Sequence, residues 1–195
     1  MPLKPKPEHD DLMTIEEFLA FTEDRPDEER WELIEGVPVM SLSPTDVHQL
    51  IVGNVIVLLG QHALEKNAAW LVMPGTGTRV PASSRSLPQP DVFVKERAAT
   101  GTPVSDEAVV IVEVMSRSNT AADRTWRRHV YASVPNCQHY VTISTKAVEV
   151  TVHDRGRRWR GRAVATLTGA IELPAIDVRI PLAAIYRATP LAEVA

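Results

Sequence analysis

The chain has 195 residues, 44% of them hydrophobic and 24% charged, with a formal net charge of −4. That length supports one substantial core, and no uninterrupted apolar run approaches the ~20 residues that span a bilayer, so no membrane partner is expected. A single cysteine, Cys137, excludes an internal disulfide and a cysteine-based zinc cluster, so any metal must use oxygen or imidazole ligands.

The charge is unevenly spread. Residues 1–35 hold twelve acids against four bases, which leaves +4 on residues 36–195. A mildly basic body can attract a polyanion, yet it falls far short of the density of a dedicated DNA-binding domain. Residues 1–12, rich in Pro, Lys and acids, read as a flexible arm without the apolar stretch of a signal peptide, and a cytoplasmic location is expected. Residues 13–195 read as one domain.

Thr14-Ile15-Glu16-Glu17 forms a capping box and opens a short helix to about Glu23. Arg30 to Ile34 and Val37 to Met40 read as a hairpin turning at Glu35-Gly36 near a sheet edge. Apolar residues from Val47 to Leu59 recur at helical spacing, which predicts the longest helix, from about Thr45 to Lys66, packed across a sheet. Trp70 to Met73 and Thr78 to Val80 read as extended, and residues 81–90 as a Ser/Pro-rich loop.

Two strands follow, and each holds a carboxylate. Asp91 opens Asp91-Val92-Phe93-Val94, and Glu113 lies inside Val109 to Met115 among residues that usually fill a sheet interior. Residues 95–105 between them read as an exposed connection. Removing an ionised carboxylate from water costs several kcal/mol in effective terms unless something compensates it. A divalent cation is one such compensation, because Mg²⁺ accepts one or two carboxylates and keeps several waters. Asp91 and Glu113 are the candidate ligands, with the Val114 backbone carbonyl as a third; an arginine partner for Glu113, Arg127 foremost, is the purely structural alternative.

A helix from about Ala121 to Ala132 comes next, stopped before Pro135. Gln138 to Ser144, Val148 to His153 and Trp159 to Thr166 read as strands, and alternation in the last places Arg158, Arg160 and Arg162 on one face, opposite Trp159. That basic stretch reads as a solvated face ahead of a nucleic-acid track. His62, His129, His139 and His153 have no metal-ligand spacing and read as structural. Val178 to Pro181 lead into a final helical turn at Leu182 to Tyr186.

The order of Trp31-Glu32-Leu33-Ile34-Glu35-Gly36, His48, Pro90-Asp91, Val112-Glu113-Val114, Ser116, Asp123-Arg124 and Tyr131, with the ending Ile171-Glu172-Leu173-Pro174 to Tyr186, resembles the Uma-type family of restriction-endonuclease-like proteins in the PD-(D/E)XK nuclease superfamily. The resemblance covers most of residues 13–187. It implies an α/β (α+β mixed) restriction-endonuclease-like core: a mixed central β-sheet flanked by helices. It also implies Mg²⁺- or Mn²⁺-dependent hydrolysis of nucleic acid, DNA before RNA, by a homodimer.

The superfamily pattern puts a lysine two residues after the glutamate, where this chain has Met115. Uma-type members instead carry it on the next helix, four residues after an aspartate; counting from Asp123, that place holds Arg127. Asp91, Glu113 and Arg127 are therefore the implied catalytic set. Glu32, His48 and Asp123 are supporting candidates, and Lys95, Arg117 and Arg124 are candidate nucleic-acid contacts. Because arginine stays protonated where lysine can exchange a proton, a non-cutting DNA- or protein-binding homodimer is the alternative. A cupin-like pocket would need a histidine cluster that His139 and His153 do not make.

Overall fold

The structure is a computed structural model describing residues 12–26, 28–41, 43–97, 104–116 and 119–193. Most of the expected N-terminal arm, Arg117 and residues 98–103 of the expected connection lie outside the described residues.

Helix α1 (Ile15–Glu23) begins at the expected capping box: the Glu17 N–H donates to Thr14 Oγ1 at 3.2 Å and the Thr14 N–H donates to Glu17 Oε2 at 2.7 Å. It buries Ile15 and Phe18 against Leu33 and Leu87. Strands β1 (Trp31–Ile34) and β2 (Val37–Met40) form a separate two-stranded ribbon. Glu35 and Gly36 both have positive φ, 50° and 82°, as a two-residue type I′ turn requires. An antiparallel bridge from Leu33 to Leu87 ties the ribbon to the long loop before Asp91.

Helix α2 (Asp46–Glu65) is capped by Thr45 and is the longest helix, as expected. By length and composition it is apolar enough to cross a membrane, as the core helix of a soluble protein also is. Here Ile51, Val55 and Leu59 are buried on the sheet, and Asn54 Nδ2 donates to the carbonyls of Ile185 and Arg187, each at 2.9 Å.

The central sheet has six strands: β3 (Trp70–Pro74), β5 (Val92–Glu96), β7 (Val110–Met115), β8 (His139–Ser144), β9 (Val150–Asp154) and β10 (Gly161–Val164). Their order is β10-β9-β8-β7-β5-β3, and only β7 and β8 are parallel. That pair needs a crossover, which helix α3 (Ala121–Ala132) supplies between them in sequence. Short β4 (Gly77–Thr78) and β6 (Val104–Ser105) pair with each other.

Alternation sorts the sheet residues between two cores. Val92, Val94, Val110, Val112 and Val114 face α2, together with the hairpin β11 (Ala170–Leu173) and β12 (Val178–Pro181) and helix α4 (Leu182–Ile185). Phe93, Ile111 and Tyr140 face α3, where they pack on Val130, Tyr131 and Val134. The fold is the mixed α/β sheet the sequence implied.

Two expectations are corrected. Lys95 does not begin an exposed loop: it continues β5 opposite Leu71 and is only 8% exposed, so it is no surface contact for a nucleic acid. Val104 and Ser105, at the other end of that connection, are buried. The last central strand begins at Gly161 rather than Trp159, because Arg158 and Trp159 adopt left-handed backbone at φ 54° and 60° after a 3-10 turn at Arg155–Arg157. The expected alternation of Arg158 against Trp159 on a strand therefore fails; Arg155 instead stacks its guanidinium on Trp159 at 5.3 Å. Finally, β11 is a strand that the sequence reading left unassigned.

Candidate active site

Strands β5 and β7 run antiparallel with Val92 opposite Val112, so Asp91 stands one position beyond the pairing, opposite Glu113. Cross-strand neighbours share a face with Cβ atoms ~4.5–5.5 Å apart. The Val114 N–H fixes the arrangement by donating to Asp91 Oδ2 at 2.8 Å. A backbone donor from the residue after Glu113 thus holds the Asp91 carboxylate at the end of β7.

Two basic side chains also reach Asp91. Arg30 Nη1 lies 3.3 Å from Oδ1, and His48 Nε2 lies 3.3 Å from Oδ2. Arg30 is steadied by donating from Nη2 to the Gln89 carbonyl at 2.8 Å. Gly75 makes room for it, since a Cβ there would meet the guanidinium at 2.9 Å and the Pro90 carbonyl at 2.8 Å. Burial pushes the Asp91 carboxyl up, but the His48 hydrogen bond and charge, the Val114 N–H and Arg30 together hold it below the usual range. A depression of about 450 Å³, bounded by Glu29, Arg30, Gln49, Gly75 and Gln89, opens onto this carboxylate.

Glu113 is tied differently. Its Oε1 accepts from Arg127 Nη1 at 2.9 Å and from the Tyr131 hydroxyl at 2.7 Å. Arg127 also grips Glu32, with Nη1 at 3.1 Å from Oε1 and Nη2 at 2.7 Å from Oε2, and reaches Asp123 with Nε at 3.3 Å. Glu32 Oε1 accepts in addition from the Gln89 N–H at 2.7 Å. Asp123, Arg127 and Tyr131 follow one another at four-residue spacing, one stripe of α3 laid over β7.

One guanidinium therefore serves three carboxylates. Burial pushes Glu113 up to about 8; Arg127 and Tyr131 oppose the shift, while Asp91 and Glu32 add to it. Burial works against the Arg127 charge, but Glu113, Tyr131 and Glu32 hold it above the ordinary arginine range.

The structure thus brings Asp91, Glu113, Arg127, Glu32, His48 and Asp123 into one cluster. Arg127 is the partner of Glu113, and Glu32 joins the cluster through Arg127. Arg124 is exposed at the cluster's edge, donating from Nη1 to the Asn119 carbonyl at 3.1 Å. Sequence reasoning missed Arg30, whose proximity to Asp91 spans 61 positions of chain and has no local signal. It also gave Tyr131 no role in the site, although its spacing from Arg127 marks it. The structural reading of His139 holds, since its Nδ1 pairs with Asp154 at 2.7 Å and its Nε2 accepts from the Ala175 N–H at 3.2 Å.

The family Uma2, described as "Putative restriction endonuclease", matches residues 15–183. The chain belongs to this family. Its fold is similar to that of a solved structure from Anabaena variabilis ATCC 29413, described as a putative nuclease belonging to DUF820, with a TM-score of 0.73 at 13% identity over 89% of this chain and 97% of that one. No curated protein matches the chain. Membership in Uma2 supports a nuclease, in a family of restriction-endonuclease-like proteins that generally use divalent metals.

Proposed function

We propose that the chain is a Mg²⁺- or Mn²⁺-dependent endonuclease that hydrolyses phosphodiester bonds in nucleic acid, DNA before RNA. The observation that carries this reading is the cross-strand placement of Asp91 opposite Glu113 beside an open depression. Among the described residues no cluster of three or more His, Cys, Asp or Glu side chains has metal-ligand geometry. Two adjacent carboxylates nonetheless fit an ion that completes its shell with water and substrate oxygens.

Asp91 and Glu113 would hold the cation, with the Val114 carbonyl available as a third donor. When bound, a divalent ion neutralises charge on the scissile phosphate and lowers the pKa of a water. The chain's own residues do the rest. The Val114 N–H and His48 fix the Asp91 oxygens, and the Tyr131 hydroxyl orients Glu113. Arg127 places a fixed positive charge beside Glu113, from where it would offset negative charge developing on the phosphate, and Asp123 keeps its guanidinium turned inward. Duplex cleavage favours two such sites, which a homodimer would provide.

A specific observation favours a second reading. Arg127 occupies Glu113 and Glu32 at 2.9 and 2.7 Å, and a guanidinium cannot surrender a proton as a lysine can. The same fold then binds nucleic acid, or a protein, as a homodimer without cutting. Calorimetric titration with Mg²⁺ and Mn²⁺ separates the two. The nuclease reading expects binding by the parent chain and its loss in Asp91→Asn and Glu113→Ala; silence in the parent, or equal binding by the variants, supports the non-cutting reading.

A further inference from the structure

Beyond Glu113 the same sheet face continues as a groove that no motif marked. The parallel register sets Thr142 of β8 beside Glu113, and the next register sets Thr151 of β9 beside Thr142. A row of hydroxyls therefore leads away from the candidate carboxylate, where the sheet further down is covered by Ile111 and Tyr140. The groove has a volume of about 540 Å³.

Its walls are cationic. Arg124 and Arg128, one helical turn apart on α3, form one side, and Lys146 on the β8–β9 turn forms the other, against a single acid, Glu149. Arg128 and Lys146 are exposed, and among the described residues neither has an ion pair. The turn that carries Lys146 is anchored: Thr145 Oγ1 donates to the Met115 carbonyl at 2.7 Å, and the Glu149 N–H donates to the Tyr186 hydroxyl at 3.0 Å.

A buried group independently points to a ligand. Tyr140 lines the groove and is 1% exposed, yet its hydroxyl has no hydrogen-bond partner among the described residues. An unmade hydrogen bond on a buried hydroxyl costs about 1–3 kcal/mol, so a donor so placed is suited to an acceptor that arrives from outside. The ring is fixed by Tyr131, centroid to centroid at 5.4 Å, and by stacking on His153 at 5.7 Å.

We infer that this groove binds the phosphate next to the scissile one, on a nucleic-acid strand that runs from Glu113 across β8 and β9. Guanidinium forks, an ammonium and hydroxyl donors suit phosphodiester oxygens, and the groove adjoins the site where the bond is cut. The inference rests on the nuclease reading of Asp91 and Glu113.

Anisotropy of a labelled DNA oligonucleotide, titrated with the full chain in EDTA over a series of salt concentrations, tests it. Arg128→Ala and Lys146→Ala should each weaken binding about fivefold to tenfold and lower the salt slope by about one. Tyr140→Phe, which keeps the ring, should weaken binding by about threefold. Arg179→Ala, at an exposed position of β12 on the opposite face, should bind as the parent does. If the parent binds and the groove variants match it in affinity and slope, the groove assignment falls alone. If the parent binds no oligonucleotide, the nucleic-acid reading falls with it.

Discussion

Arg127 Nη1 donates to Glu113 Oε1 at 2.9 Å inside the sheet–helix interface, both residues being almost fully buried. The pair holds a catalytic candidate in a neutralised form and makes α3 part of the site. Removing one partner of such a pair leaves an uncompensated charge, whereas replacing the whole set by neutral groups does not.

Arg127→Ala should therefore destabilise the chain by about 3–5 kcal/mol, with a lowered melting temperature. Combining Arg127→Met with Glu32→Gln and Glu113→Gln should recover most of the loss. Thermal unfolding of the single and triple variants checks this; a single variant that melts with the parent would show that the carboxylates are solvated.

Glu113 gives a pH signature. Its carboxyl is raised from the ordinary 4.5 to about 8, so the folded state holds this proton more tightly than the unfolded chain. Its stabilising contribution is complete below 4.5 and is lost as pH rises through about 8. Asp91, shifted the other way, acts only at the acid end. The parent melting temperature should fall between pH 5 and 9 by more than that of Glu113→Gln; parallel curves would place the titration elsewhere.

His48 holds the Asp91 carboxyl down through a contact of 3.3 Å. In His48→Ala the Asp91 pKa should rise, read by carbon NMR of the side-chain carboxyl. An unchanged titration would leave Arg30 and the Val114 N–H as the sole causes.

Lysine at position 127 would carry a charge that can exchange a proton, which arginine's cannot. Arg127→Lys should raise metal-dependent cleavage by about tenfold or more while lowering stability, because an ammonium cannot bridge Glu32 and Glu113 in a fork. A slower variant would assign the guanidinium itself to phosphate binding.

Much of the framework was legible because its signals are local. The Thr14 capping box, the Glu35-Gly36 turn and the spacing of Ile51, Val55 and Leu59 each act within a turn or two of chain. Asp91 and Glu113 were legible as candidate ligands from their places in two apolar strands, whereas the adjacency of those strands comes from the sheet order. Arg30 and the groove at Tyr140 were not legible, because they arise from strand order and from residues tens of positions apart. The strand expected at Trp159 failed because its alternating pattern resembles a strand while two left-handed residues break the backbone there.

The most direct test is nicking of supercoiled plasmid by the purified chain with Mg²⁺ or Mn²⁺, beside Asp91→Asn and Glu113→Gln. A nuclease built on these two carboxylates should nick in a metal-dependent manner and lose activity by about a hundredfold or more in each variant. A parent that does not nick, or variants that nick at the parent rate, would contradict it.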